Sequence, residues 1–171
     1  NFASCDEANA RLIDLKHITE GKIVQRNTEL TLLEEMIAEA CRLAHDNLGV
    51  NFANYDLNND GIVDNVFVFY AGNNEAEGGG ADKIWPHRSE ISEDLVLDGK
   101  RVCVYACSSE INLAGYTPKM AGIGTFCHEF GHVLGWADVY DTDGAANGNC
   151  EGVWDWSIMC SGSYNNQGRT P

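Results

Sequence analysis

Residues 127–138 read CHEFGHVLGWAD: two histidines four apart, a glutamate directly after the first, a glycine three residues after the second and an aspartate six after it. A helix turns about 100° per residue, so His128 and His132 lie one turn apart on one face and can share an ion. Glu129 is turned too far round to ligate but reaches a metal-bound water, which is the arrangement of a zinc site with its general base. A catalytic zinc takes three protein ligands and keeps a fourth position for water. Gly135 is where the helix can end in the left-handed conformation and turn the chain back, which carries Asp138 to the position of a third ligand. The plain alternative is an ordinary helix with two hydrogen-bonded histidines and a turn carboxylate. Cys127 next to His128 suggests a cysteine–histidine nucleophile, but neighbouring helical residues point about 100° apart, which disfavours it.

Outward from this helix, expected over about residues 121–134, the chain alternates element types. Thr31-Leu32-Leu33-Glu34 fits a capping box, and Leu32, Leu33, Met36, Ile37, Ala40, Cys41, Leu43, Ala44 and Leu48 recur at helical spacing up to Gly49. The first thirty residues leave a strand pair, or a helix and a strand, equally open. Val66-Phe67-Val68-Phe69-Tyr70 is a short β-branched and aromatic run that predicts a buried strand. Leu95–Leu97 and Arg101–Tyr105 flank Asp98-Gly99, a hairpin signal. Helix, strand, hairpin and helix in that order predict an α+β domain with a mixed sheet and helices stacked on it. No repeat or linker divides the chain, and 171 residues suit a single domain, 1–171.

The composition is that of a folded protein, with 44% hydrophobic and 22% charged residues. A formal net charge of −15 argues against nucleic acid or an anionic membrane surface as the main partner. No apolar run approaches the roughly 20 residues needed to span a bilayer, so membrane insertion is not expected. The opening NFASCDEANA has neither an initiator Met nor an apolar signal segment and reads as a mature or excised piece. Seven cysteines predict one to three disulfides and an extracytoplasmic home, with Cys150 and Cys160 as the candidate pair. The oligomeric state is open.

A second metal candidate is Asp56-x-Asn58-x-Asp60-Gly61-x-x-Asp64, the first half of a calcium loop, in which the backbone carbonyl of Ile62 is a further ligand. The twelfth position, where a bidentate glutamate is expected, is Phe67, so the loop is not a complete EF-hand. A structural calcium that fastens the loop is weighed against an Asx-rich turn with no ion.

The stretch HEFGHVLGWADVYD resembles the extended zinc motif of the metzincin-like clan, most of all the immune inhibitor A family of secreted bacterial metalloendopeptidases. Three further stretches are similar to that family in the right order: YDLNNDGIVDNVFVFYAG at 55–72, EAEGGG with IWPHR at 75–88, and WDWSIMCSGSYN at 154–165. The resemblance covers about residues 51–166. It implies a zincin-like catalytic domain with an upper part, 1–135, and the start of a lower part, 136–171. It also implies a methionine turn that places Met159 beneath the histidines; Tyr164 is a candidate to hydrogen-bond the oxyanion or swing near the zinc, weighed against an ordinary surface or core tyrosine. By the same analogy the stretch from Glu77 to Trp85 shapes the cleft for a substrate strand. The clan's more familiar third ligand is a histidine, so Asp141 and Glu151 stand as alternatives to Asp138. The chain stops soon after the methionine turn, which suggests a truncated domain. The expected function is zinc-dependent hydrolysis of protein or peptide substrates with Glu129 as general base. The rivals are an inactive calcium-stabilised adhesin module and a zinc hydrolase for a non-peptide amide.

Overall fold

The computed structural model describes residues 22–115, 117–142 and 152–171. The expectations that involve Cys150 and Glu151 lie outside the described residues. The elements are helix α1 (Lys22–Leu48), strands β1 (Val66–Asn73), β2 (His87–Glu90), β3 (Val96–Leu97), β4 (Lys100–Arg101), β5 (Val104–Asn112) and β6 (Lys119–Met120), and helix α2 (Gly124–Val133). Short 3₁₀ turns cover Phe52–Tyr55, Trp154–Trp156 and Ser161–Tyr164, and a π turn covers Glu75–Gly79. This is the α+β class predicted from the element order. The described residues up to 66, with 89–105, form one compact unit; those of 67–88 and 106–171 form a second.

In the first unit α1 begins at Lys22, not at Thr31, so the capping box is not used. The physical reason is the composition of the segment: between Gly21 and Gly49 it has no glycine or proline, and nothing stops the helix before Gly49 adopts φ +68°. Leu33, Ile37 and Cys41, spaced by four, form its buried stripe, whereas Leu43 and Leu48 are exposed, so the apolar face is narrower than the sequence predicts. The helix is fixed to the loop after β2 by Glu34, whose carboxylate accepts from Ser92 N at 2.9 Å and from the Ser92 hydroxyl, and by Arg42, which donates to Glu93 at 2.5 Å. Phe52, Val63, Ile91, Leu95 and Val102 complete this core. The hairpin signal is borne out: β3 and β4 pair antiparallel with Val96 opposite Arg101, and Asp98 and Gly99 take φ +51° and +75°, the primed turn that matches strand twist.

The larger sheet, most of whose residues fall in the second unit, has strand order β1-β5-β2, with β6 paired antiparallel to the end of β5. Strand β1 is longer than predicted and not fully buried: Tyr70 is its buried residue and Phe69 is exposed. Its alternate residues Phe67 and Phe69 instead form a half-covered aromatic layer with Phe126, at centroid distances of 4.6 and 5.7 Å, and Phe126 stacks on Phe130 at 5.7 Å. That layer seats α2 on β1. Helix α2 starts at Gly124 and not near Ala121, because the Ala121 N–H still bonds to Glu110 O at 2.7 Å and continues the β6 ladder.

Candidate metal centre

The end of α2 fixes the site. Gly135, at φ +89°, donates its N–H to His132 O at 3.0 Å, and Trp136 donates to Gly131 O at 3.0 Å. This bond pair is a Schellman cap, and it reverses the chain as the glycine spacing predicts. Three residues on, Val139 N–H bonds to Met159 O at 3.0 Å, which pins the returning segment to the turn at 157–160. Asp138 is thereby held over the face of α2 that bears the histidines.

Both imidazoles are fixed through their far nitrogens. His128 Nδ1 lies 2.8 Å from Ile158 O, and His132 Nδ1 lies 2.8 Å from Trp136 O. A carbonyl oxygen only accepts, so each Nδ1 carries a proton and the other ring nitrogen, Nε2, is the atom each imidazole turns to Asp138. Both Nε2 atoms lie 3.3 Å from one oxygen, Asp138 Oδ1. That oxygen is buried and has no hydrogen-bond partner. Two imidazole nitrogens and one carboxylate oxygen therefore converge on one point, a donor set that a cation between them would satisfy. Among the described residues His128, His132 and Asp138 form the group of three metal-ligating side chains, with ligand atoms all within 4.8 Å of one another. Nitrogen and carboxylate donors with anchored imidazoles fit a zinc ion.

A family model described as the immune inhibitor A peptidase M6 catalytic domain matches residues 39–171. The chain belongs to that family. It is 36% identical over 150 residues to the pre-pro-metalloprotease PrtV of Vibrio cholerae, an alignment that covers 76% of this chain and 16% of that protein. It is 32% identical over 126 residues to immune inhibitor A of Bacillus thuringiensis subsp. alesti, covering 66% of this chain and 18% of that protein. The chain thus spans less than a fifth of the length of these relatives.

The site of this M6 peptidase domain is surrounded by titratable groups. Glu129 is buried on α2, and burial first, then the Asp138 charge, pushes its carboxyl up to about 8. Burial first, then the Asp138 charge, pushes the Tyr140 phenol up to about 12. Tyr164 is also raised to about 12, by burial and then by the charges of Glu77, Glu129 and Asp138. Below α2, Met159 is buried, and a Cβ built on Gly131 would lie 2.6 Å from its sulfur. The turn that holds Met159 is closed by Cys160 N–H to Ser157 O at 3.1 Å, and its Ile158 carbonyl is the anchor of His128.

Other expected residues are placed differently. In the acidic loop of the first unit, Asp56 accepts from the N–H groups of Asp60 and Gly61, each at 3.0 Å, and its Oδ2 accepts from the Lys100 ammonium at 2.6 Å. Lys100 is the main reason the Asp56 carboxyl lies below its ordinary range. Asn58 accepts from Asp60 N–H at 3.1 Å, Asp60 from Ile62 N–H at 2.9 Å, and Asp64 from Leu57 N–H at 3.2 Å. The loop oxygens are thus turned onto its own amides. Cys41, Cys103 and Cys107 are buried thiols, and Cys127 is half-buried; none of these four is bridged.

Sequence reasoning passed over a buried polar network in the second unit. Glu77 accepts from Asn74 Nδ2 at 2.6 Å and Asn112 Nδ2 at 2.8 Å. Asn74 also donates to Ser109 Oγ at 2.7 Å, and its Oδ1 accepts the Glu77 N–H at 2.7 Å. The network ties the Glu75–Gly79 turn to the end of β5. No sequence signal pairs residues 35 apart in this way.

Proposed function

We propose that this chain is the catalytic core of a zinc-dependent endopeptidase that cleaves protein or peptide substrates. The observation that carries the reading is the meeting of His128 Nε2, His132 Nε2 and the unpartnered Asp138 Oδ1 around one point. These three residues would hold the ion. When bound, zinc supplies Lewis-acid polarisation of a carbonyl and brings the pKa of a water towards neutrality.

The chain's own groups then divide the proton work. Glu129, beside the first ligand, accepts the proton of the attacking water at its carboxylate and delivers it to the departing amine nitrogen. Its pKa of about 8 belongs to the pocket without a cation; a dication beside it lowers that value and readies the base form. Tyr164 keeps its proton at neutral pH and donates to the developing oxyanion. Met159 and Gly131 hold the helix floor on which both imidazoles stand, as the resemblance to a methionine turn implies. An extracytoplasmic location is supported by the pre-pro form that the Vibrio relative's name records.

The test is the Glu129→Gln variant, assayed on denatured casein with bound zinc measured in parallel. Loss of cleavage with zinc retained is expected. Retained cleavage removes Glu129 from the mechanism, and zinc binding without cleavage by the unaltered protein favours the binding-module or non-peptide amide readings.

The same proposal includes a structural calcium at Asp56, Asn58, Asp60, the Ile62 carbonyl and Asp64. Since the Lys100 ammonium already bonds to Asp56, calcium would have to displace it. Calcium added after EDTA treatment should therefore raise the melting temperature more in Lys100→Met than in the unaltered protein; no response in either ends this part of the proposal.

A further inference from the structure

A peptide group is planar, so its carbonyl and its N–H point opposite ways and turn together. The group that joins Ile158 to Met159 is bonded at both ends. Its carbonyl, Ile158 O, accepts from His128 Nδ1 at 2.8 Å. Its N–H, on Met159, donates to the Ser157 hydroxyl at 3.1 Å, a local turn closed by a serine side chain two residues back. The Ser157 backbone is tied down in turn, because its carbonyl accepts from the N–H groups of Cys160 and Gly162, each at 3.1 Å. A Cβ on Gly162 would lie 2.5 Å from that carbonyl oxygen, so the turn is closed without slack. The next carbonyl, Met159 O, accepts from Val139 N–H at 3.0 Å, directly after Asp138. Two consecutive carbonyls of this turn thus hold His128 and the segment that carries Asp138.

We propose that Ser157 is a positioning residue of the metal centre, whose hydroxyl fixes the peptide group that anchors the His128 imidazole. The proposal rests on the metal-centre reading above. Met159 is buried, and a buried N–H left without an acceptor is costly. Without the hydroxyl the peptide group can rotate to regain a partner, and that rotation takes the Ile158 carbonyl away from His128 Nδ1. The ring is then free to turn, and its Nε2 no longer faces Asp138 in advance. His132 is an internal control, since its anchor is the separate carbonyl of Trp136. Ser157 has extended backbone, φ −134° and ψ 138°, which threonine adopts readily, so Ser157→Thr keeps the hydroxyl and Ser157→Ala removes it.

The experiment compares the unaltered chain, Ser157→Ala and Ser157→Thr in two ways. Zinc affinity is measured by competition with a chromophoric chelator. Nitrogen-15 spectra of the metal-free proteins, at about pH 8.5 where an unperturbed imidazole is neutral, show which nitrogen of each ring carries the proton. Ser157→Ala should bind zinc about 10–100-fold more weakly, the usual effect of losing the support of a metal ligand, and Ser157→Thr should come within about threefold of the unaltered chain. In the spectra His128 should lose its fixed Nδ1 proton in Ser157→Ala and keep it in Ser157→Thr, while His132 stays the same in all three. Affinity of Ser157→Ala within about twofold of the unaltered chain overturns the role of Ser157. So does an unchanged His128, a loss that Ser157→Thr does not recover, or an equal change at His132, which marks a general structural role. If the unaltered chain takes up no zinc, the metal-centre reading fails and the inference falls with it; the spectra need no metal and keep that failure apart from a failure of Ser157 itself.

Discussion

A Cβ added to Gly131 would lie 2.6 Å from the sulfur of Met159 and 3.2 Å from the ring of Trp136. The helix that bears both histidines therefore rests on the 157–160 turn with no room for a side chain at that point. At the other end of the same helix, Gly124 faces the backbone carbonyl of Ser163 more closely still.

These two glycines predict a graded loss of stability. Met159 can shift its flexible side chain, so Gly131→Ala should cost about 1–2 kcal/mol. The Ser163 carbonyl cannot move without the 3₁₀ turn that holds it, so Gly124→Ala should cost about 3 kcal/mol or more. Urea unfolding of the two variants measures this; an equal or reversed order would show that the turn yields as easily as the sulfur.

The buried network around Glu77 makes a second prediction. Glu77→Ala leaves the Asn112 amide, and one of the Asn74 bonds, without an acceptor in a place that water does not reach. The cost should be about 2–4 kcal/mol in chemical unfolding. Glu77→Gln keeps one oxygen acceptor and should lose roughly half as much. Equal losses for the two would mean that the space Glu77 fills matters and its hydrogen bonds do not.

A third prediction concerns pH in the first unit. His45 Nδ1 lies 2.7 Å from Asp46 Oδ1, and its Nε2 lies 3.2 Å from Asp98 Oδ1. Asp46 first, then Asp98, raises the imidazole above its ordinary 6.5. A histidine raised in the folded state contributes stability that is complete below the unfolded value and fades as pH rises through the folded one. His45→Gln should therefore lower the melting temperature at about pH 5.5 and leave it nearly unchanged near pH 9. The same loss at both pH values would assign His45 a packing role only.

The parts of the molecule legible in the sequence are those whose partners lie close along the chain. His128, His132, Gly135 and Asp138 fall within one helix and its cap, so helical geometry alone brings them together. Asp98-Gly99 demands positive φ at both positions, and the hairpin follows. The start of α1 was not legible, because a capping-box pattern at Thr31 occurs inside a run with nothing to end the helix. The apolar run of β1 suggested full burial, yet Phe67 and Phe69 share their cover with Phe126, which is more than 55 residues away. Lys100 reaches Asp56 across 44 residues, and Glu77 reaches Asn112 across 35. One sequence carries no mark of such pairs.

The central claim is that His128, His132 and Asp138 hold one zinc ion. The most direct measurement is diffraction at the zinc absorption edge from crystals of the zinc-loaded chain, with metal analysis of the same preparation. The account predicts one zinc per chain and one anomalous peak bonded to His128 Nε2, His132 Nε2 and a single oxygen of Asp138. A chain without zinc, or a peak held by other residues with Asp138 turned away, would contradict it.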